Sequence, residues 1–572
     1  MKKLTFTLNG KKIEFEKGET VLQAAKRAGY DIPNLCYHSD LKVKANCRIC
    51  VVEIAGRKGL ETSCSTKAEP GMKVITRNAR IDKARRTNLE LIFAQHREEC
   101  ADCVYKYNCD LLKYADQYKA KRRKYKDRKS DDPTYKFGPA LEFDSSKCID
   151  CRNCVEMCEK QNVNFLEVKE KGHLHKVVPT SDSDKDCIYC GQCLVHCPVG
   201  AFEGAGEFEE IEKLIKRKNK VVVFQFAPSI RTSIGEEFNM PHGSVVTGKL
   251  IAAIRKLGVK YVFDTSVGAD FTTVEEAREL AERLTKNQKL PMFTSCCPGW
   301  VKYVELFEPR YIPNLTTARS PHMMLGGLIK TYWAREMGIN PKDVFVVSVM
   351  PCIAKKYEAQ RAEMKIDGNP PVDRVITNRE LAFLLKKHNI DLKKIKAVEE
   401  STPLGTPSGA GVIYGASGGV MESALRTAYY QLTGKKPSRL KFKDVRGMTR
   451  CKTAEVKIND RIVRVAVANG MENAAALLEQ LKKDPHRYDY IEVMACPGGC
   501  IGGGGQPVPT NKETRRKRAE ALYSVDTKKK IFMAHENPSL QEIYQTFLAD
   551  KHTTHKIFHT TYQKKKREVK KP

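Results

Sequence analysis

Thr294-Ser295-Cys296-Cys297-Pro298-Gly299-Trp300 sets two adjacent thiols at the end of an apolar run, Leu290 to Phe293. Vicinal cysteines on one short turn cannot easily hold the same metal, so the pair splits into one ligand and one free thiol. Two further thiol motifs follow, Met350-Pro351-Cys352 and Met494-Ala495-Cys496-Pro497-Gly498-Gly499-Cys500. These five cysteines are one more than a four-iron cube needs, and Cys451 is further spare. Spacing alone does not say which of Cys296 and Cys297 is left over. Taken by itself the pair reads as two structural cysteines, since free Cys is among the most buried residue types. The rest of the chain overturns that reading.

Most of the 21 cysteines precede residue 200. Cys36, Cys47, Cys50 and Cys64 are read as a 2Fe-2S site, with the close Cys47/Cys50 pair on one iron and the outer two on the other. The first interval is longer than the plant-type ferredoxin pattern, and zinc is the alternative for any four cysteines. His96, Cys100, Cys103 and Cys109 would by default be a structural zinc set, but redox neighbours favour a 4Fe-4S cluster with one imidazole ligand. Cys148, Cys151, Cys154 and Cys158 repeat as Cys187, Cys190, Cys193 and Cys197, followed by Pro198. That doubled spacing is the two-cluster ferredoxin pattern, in which the fourth cysteine of each run serves the other cluster. It assigns Cys148, Cys151, Cys154 and Cys197 to one cube, and Cys187, Cys190, Cys193 and Cys158 to the other. Up to about residue 210 the chain reads as an electron wire without a substrate site.

The elements that must position these residues fall into two textures. Leu4–Leu8 and Ile13–Phe15 alternate apolar and polar residues around Asn9-Gly10, a strong hairpin signal, and a short helix from Val21 follows, which together make a β-grasp beginning. A helix over 81–93 leads towards His96. After Lys213–Lys218 apolar runs alternate with helical patterns, an α/β texture. Strands are predicted at 221–226, 261–264, 290–293, 344–349 and 490–493, with a helix over 273–284. Each of these three later cysteine motifs sits just past the C-terminal end of a predicted strand, the edge at which open parallel sheets bind ligands.

Composition bounds the function. No apolar run approaches the roughly 20 residues of a transmembrane helix, and the N-terminus lacks a signal-peptide core, so a cytoplasmic protein without membrane contact is expected. So many cysteines in a reducing compartment mean metal ligation, not disulfides. The formal charge of +31 favours an acidic partner through steering. Nucleic acid is excluded, because no recognition motif for it is present. The basic run 119–129, eight of eleven residues Lys or Arg, is expected to be a solvated face.

The three motifs, the second continuing Ile353-Ala354-Lys355-Lys356-Tyr357-Glu358, resemble the signatures of the iron-only (FeFe) hydrogenases, and the order of the N-terminal clusters resembles the monomeric clostridial type. The resemblance covers residues 1 to about 545, including His535-Glu536-Asn537-Pro538; the basic tail 564–567 is not placed by it. It implies a multidomain α+β and α/β chain: a β-grasp 2Fe-2S domain (1–79), a His/Cys3 4Fe-4S domain (80–129), a two-cluster ferredoxin-like domain (130–210), an α/β catalytic H-cluster domain (211–514), and a C-terminal small-subunit-like segment (515–572). It further implies that Cys297, Cys352, Cys496 and Cys500 hold a 4Fe-4S cube. Cys500 would bridge to a di-iron unit carrying carbonyl, cyanide and a dithiolate amine, loaded by maturation proteins. By the same resemblance Ser229 and Lys355 hydrogen-bond the cyanides, and Ala227, Pro228, Pro321, Met350 and Met494 line the pocket. His322 stands where glutamine is usual and Tyr414 where phenylalanine is usual, which puts pocket polarity in question. Cys296 matches the proton-shuttling cysteine, with Glu276, Thr316, Glu279 and Arg283 as the outward relay. A thiol and ordinary carboxylates are poorly matched in pKa, so the relay glutamates are expected to be buried. The implied reaction is reversible conversion of protons and electrons to H2, with ferredoxin as electron carrier and the chain a monomer. A hydrogen sensor, a subunit of a larger complex, and an iron-sulfur electron-transfer or assembly protein are the competing readings.

Overall fold

The computed structural model describes residues 4–567 except 102, 130, 171–174, 218, 401, 438–445 and 447–450. Asn9 and Gly10 both take positive φ (47° and 81°), as a two-residue hairpin turn requires, and so join β1 (Leu4–Leu8) to β2 (Lys11–Phe15). Thr20 and Gln23 cap the helix Val21–Arg27 reciprocally, which satisfies two orphan backbone donors. β3 (Val51–Ile54), β4 (Leu60–Thr62) and β5 (Lys73–Ile75) complete a sheet of order β2-β1-β5-β3-β4 in which β1 and β5 run parallel. Phe6, Leu8, Ile13, Phe15 and Val21 fill the space between sheet and helix. This is the β-grasp expected from the hairpin and helix signals.

The helix Ala79–Phe93 leads to the His96 loop. Beyond it, β6 (Thr134–Phe137) and β7 (Leu141–Asp144) precede the first cysteine run. β8 (Leu166–Lys169) and β9 (Lys176–Pro179) form a hairpin between the two runs, and β10 (Phe202–Gly204) closes a β10-β7-β6 sheet after the second. Within the basic run, residues 121–128 are exposed, as a solvated face should be. Lys129 departs from that expectation: it is buried and donates from Nζ to the Cys148 carbonyl at 2.8 Å, so the run is anchored at one end.

The catalytic half holds β11 (Val221–Phe226), β12 (Tyr261–Asp264), β13 (Met292–Phe293), β14 (Val344–Met350), β15 (Arg374–Thr377), β16 (Cys451–Ile458), β17 (Arg461–Asn469) and β18 (Tyr490–Met494). They form two four-stranded sheets, β12-β11-β14-β15, all parallel, and β13-β18-β17-β16, in which only β16 is antiparallel. The strand pattern does not show this division. In the first sheet the chain leaves β11 for β12 on one side and later returns as β14 on the other, so the loops after β11 and β14 part at a topological switch point and leave a crevice. In the second sheet β13 and β18 are neighbours, which brings the loops carrying Cys296-Cys297 and Cys496 side by side. The apolar run before Cys296 contributes a strand of only two residues. The helix expected from 273 begins instead at Thr265 and runs to Lys286, because Asp264 ends β12 and at once caps the helix, accepting from the Ser266 N–H at 2.9 Å.

The C-terminal part, with helices Lys512–Lys528, Pro538–Gln545 and Lys551–Phe558, runs back over the molecule. Asn537 donates to buried Asp270 at 2.8 Å. Arg567, in the basic tail, donates to the carbonyls of Thr180 and Asp182 in the ferredoxin-like part. Residues 568–572 lie outside the described part. Among the described residues no helix is long and apolar enough to cross a membrane.

Candidate active site

Three thiol sets in the first 210 residues surround cavities of their own. His96, Cys100, Cys103 and Cys109 line about 400 Å3, Cys148, Cys151, Cys154 and Cys197 about 250 Å3, and Cys158, Cys187, Cys190 and Cys193 about 370 Å3. The exchange of fourth cysteines read from the repeat is thus the grouping found in space. The N-terminal set also converges, but its pairs differ from those expected. Cys36 lies against Cys47, whose N–H donates to the Cys36 sulfur at 3.5 Å, and Cys50 lies against Cys64. Ser63 binds the Cys50 carbonyl through both its N–H and its hydroxyl, which holds the second pair together. Cys47 and Cys50 are therefore split between the pairs.

These sites adjoin in series. Cys36 lies close enough to Cys151 for their charges to interact, and Gly200 beside the His96 cavity is flanked by Val199 and Ala201 of the next. Cys154 and Cys193 adjoin in the same way, and the Cys190 carbonyl lies 3.9 Å from the Cys496 sulfur. Two outer sites merge into one line that ends at the catalytic loops.

There a cavity of about 720 Å3 is lined by Cys296, Cys297, Cys352, Cys496 and Cys500, and by Ala227, Pro228, Ser229, Pro321, His322, Met350, Lys355, Tyr414 and Met494. Every residue expected to surround the catalytic group is brought to this one place. Gly499 sits at φ +89°, and a Cβ there would meet the Ser417 nitrogen at 2.7 Å, so only glycine lets the Cys496–Cys500 loop close. Burial pushes the thiols up, Cys352 to about 12. Buried sulfurs converging on one cavity beside a single ammonium, Lys355, are suited to metal, which replaces their protons.

The two unusual residues line the cavity, but their polar atoms are engaged by other partners. His322 Nε2 is 2.7 Å from Glu358 Oε2 and its Nδ1 is 3.2 Å from Ser348 Oγ. Burial and then Lys355 lower the imidazole to about 4, so it is neutral. Burial would raise Glu358, yet Lys355 and His322 hold it at about 2. A neutral ring facing a carboxylate carries its proton on Nε2, and the wall at position 322 presents no N–H to a ligand. The Tyr414 hydroxyl is likewise engaged, 2.9 Å from Thr273 Oγ1. Lys355 Nζ donates to Glu358 at 2.6 Å and to the Cys296 carbonyl at 3.1 Å, which fixes the ammonium at the cavity wall. Ser229 is buried, with Gln506 Nε2 donating to its hydroxyl at 3.2 Å.

The relay residues divide into two groups. Cys296 is raised by burial and then by its neighbour Glu276. Glu276 is fully buried and burial pushes it up to about 8, with Tyr490 donating to Oε1 at 3.1 Å and Oε2 left without a partner. Glu279 is only largely buried, with 14% of its side chain exposed. It accepts from Thr316 Oγ1 at 2.7 Å, and Arg283 pairs with its other oxygen. Thr316 thus belongs to the outer group with Glu279. Glu358, Gln506, Tyr490 and Thr317 were missed in the sequence. Glu358 had a signal, since it lies three residues after Lys355 on one helix and so shares its face.

Comparison with known proteins agrees with this geometry. The family described as iron only hydrogenase large subunit, C-terminal domain, matches residues 220–504, and the iron hydrogenase small subunit matches 512–565. The NADP-reducing hydrogenase subunit HndD of Solidesulfovibrio fructosivorans is 41% identical over 99% of this chain and all of the relative. The chain belongs to the iron-only hydrogenase family. Iron hydrogenase 1 of Clostridium pasteurianum is 37% identical over 98% of the hydrogenase chain and all of its own length. A solved FeFe-hydrogenase HydA1 variant from Chlamydomonas reinhardtii superposes with TM-score 0.56 at 37% identity, covering 62% of this hydrogenase and 98% of that chain. A 2Fe-2S binding domain matches residues 1–79, a 4Fe-4S dicluster domain 147–201, and an iron-sulfur binding region of an NADH-ubiquinone oxidoreductase 85–124. The thiol sets fit these groups in number and placement. The hydrogenase accordingly carries 2Fe-2S, 4Fe-4S and H-cluster cofactors and interconverts protons and H2.

Proposed function

We propose that the chain catalyses this reaction in both directions in the cytoplasm, exchanging electrons with an acidic ferredoxin, and that Cys296 delivers the proton. The observation that carries this reading is the fifth thiol. Cys297, Cys352, Cys496 and Cys500 would hold the cube, with Cys500 shared with the di-iron unit, and Cys296 remains in the same cavity beside Glu276. The bound group would supply the redox chemistry that interconverts protons and H2, and maturation proteins would load it. Lys355 would bind its anionic ligands by charge-assisted donation, Ser229 would add a hydroxyl, and Ala227, Pro228, Pro321, Met350 and Met494 would keep water out.

Burial acts on both groups at the inner end of the proton path, raising the Glu276 carboxyl and the Cys296 thiol. An ordinary carboxyl and an ordinary thiol differ by roughly four units, which disfavours transfer. Burial lifts Glu276 to about 8, so at neutral pH it is a neutral acid that can exchange a proton with the thiol. Glu279, held by Thr316 and Arg283, would receive the proton on the way out. Electrons would reach the cavity from the two outer thiol sites, and the exposed basic residues 121–128 support docking of an acidic carrier.

The test is viologen-linked H2 evolution by the matured protein beside Cys296→Ala. Inactivity of wild type at full iron load sinks the enzyme reading, and comparable activity in the variant sinks the shuttle. A second reading follows from the full-length relative that is a subunit of an NADP-reducing hydrogenase: the outer clusters would then pass electrons to a partner subunit. Ferredoxin-linked turnover by the isolated chain at rates near those with viologen would refute it.

A further inference from the structure

Glu279 is the outermost carboxylate of the proposed relay, and the residue expected to carry protons beyond it is unsuited to do so. Arg283 donates to the carbonyls of Lys289, Asn314 and Leu315 at 3.1, 2.9 and 2.8 Å as well as to Glu279. A guanidinium does not give up its proton in proteins, so Arg283 positions Glu279 without relaying. The same Glu279 oxygen that accepts from Thr316 also accepts from Thr317 Oγ1 at 3.0 Å, and Thr317 Oγ1 is 2.8 Å from His559 Nδ1. His559 Nε2 is 3.1 Å from Glu275 Oε2. His559 comes from the far end of the chain. It is pinned beside Thr317 by an antiparallel bridge to Ala318 and by Arg319 Nε donating to its carbonyl at 2.9 Å. Its ring keeps 14% exposure and stacks on exposed His555 at 5.1 Å.

We propose that His559 is the proton-entry residue of the relay, exchanging protons with solvent and passing them through the Thr317 hydroxyl to Glu279. In the inward step the imidazolium Nδ1–H goes to the Thr317 oxygen while the Thr317 proton goes to Glu279. The hydroxyl then turns back, and the neutral ring, which keeps its Nε2 proton, swings Nδ1 to water, takes a new proton there and returns to Thr317. The outward step, for H2 oxidation, is the reverse, and no electrons move in either. An imidazole suits this place because it is the side chain that titrates near neutral pH. The groups facing it are Glu275, Arg278 and Glu279 from the helix Thr265–Lys286, Arg319 beside its backbone, Tyr544 through Glu275, and His555 on its own helix. Burial would raise Glu275, yet His559, Arg278 and Tyr544 keep it below the usual carboxylate range, so it stays charged and orients the ring.

This inference rests on the reading that Cys296 and Glu276 feed Glu279, and the experiment separates the two. His559→Ala, His559→Asn, Glu279→Gln and Cys296→Ala are compared in the cluster-loaded enzyme in dilute buffer, with and without added imidazole. Both His559 variants are expected to lose about 3- to 10-fold in rate, less than the roughly 10^2-fold of a general acid–base group at the reacting centre, with normal iron content and melting temperature, and imidazole to restore the Ala variant. In 15N-histidine spectra, the resonance lost in His559→Asn should shift its titration midpoint by about half a unit or more in Glu279→Gln. Wild-type rates in both His559 variants, or a midpoint indifferent to Glu279→Gln, overturn the proposal. If Cys296→Ala stays active, the relay reading itself fails. If Cys296→Ala and Glu279→Gln lose activity while His559→Ala does not, only the entry through His559 fails.

Discussion

The accessory region and the catalytic cavity use the same side chain in opposite ways. In the first 210 residues the two cavities of the doubled cysteine run each take four thiols, and all eight cysteines of the run are consumed. In the catalytic cavity five thiols meet and one is in excess. The accessory sites are closed sets built to pass charge on. The catalytic site is an open set, and its surplus thiol lies beside a buried acid. The difference teaches that surplus, more than cysteine number, marks the place proposed to handle protons.

Removing a member of the closing set should act most strongly. Cys500→Ser is expected to abolish H2 evolution and to remove about 6 of about 20 iron atoms, read by iron analysis; retention of the full load would break the contrast. Next, Glu276→Gln should leave iron content unchanged and cut turnover by about 10^2-fold. It also has a stability signature. Because burial raises this carboxyl from 4.5 to about 8, ionisation is free in the unfolded chain but resisted in the folded one. Its contribution is therefore fully present below pH 4.5 and lost as pH rises through about 8. Denaturant melts from pH 5 to 9 should show wild type losing stability relative to Glu276→Gln.

On the accessory side, Cys154→Ser should cost about 4 iron atoms and slow ferredoxin-linked turnover while the catalytic cavity keeps its iron. Reversing charge at Lys121, Arg122, Arg123 and Lys124 should lower the ferredoxin rate by about 3- to 10-fold at low salt, with the difference vanishing at high salt. The smallest effect belongs to His322→Gln. Since the ring nitrogens already face Glu358 and Ser348, viologen-linked activity should change by less than about 3-fold.

Legibility follows the same divide. The grouping of Cys148 to Cys197 could be read because ligand spacing within a short loop limits which sulfurs can converge. The Cys36 set shows the limit of that reasoning: spacing brought four thiols together but did not show that Cys36 lies against Cys47 and Cys50 against Cys64. In the catalytic half the cysteine motifs and their strand ends were legible, but the division into two sheets was not, since a parallel strand buried on both faces carries no mark of its neighbour. Glu276 could be expected to be buried, whereas the grip on Glu279 could not be seen. Thr317 and His559, 242 residues apart, meet only through the fold.

The joint between the two regions has a consequence in time. A Cβ on Gly504 would lie 2.5 Å from the Gly191 Cα, backbone against backbone. Electron tunnelling decays exponentially with separation, so a methyl group that pushed this joint apart would delay electrons passing between the two regions. Two absent side chains thus set how closely the two regions approach each other.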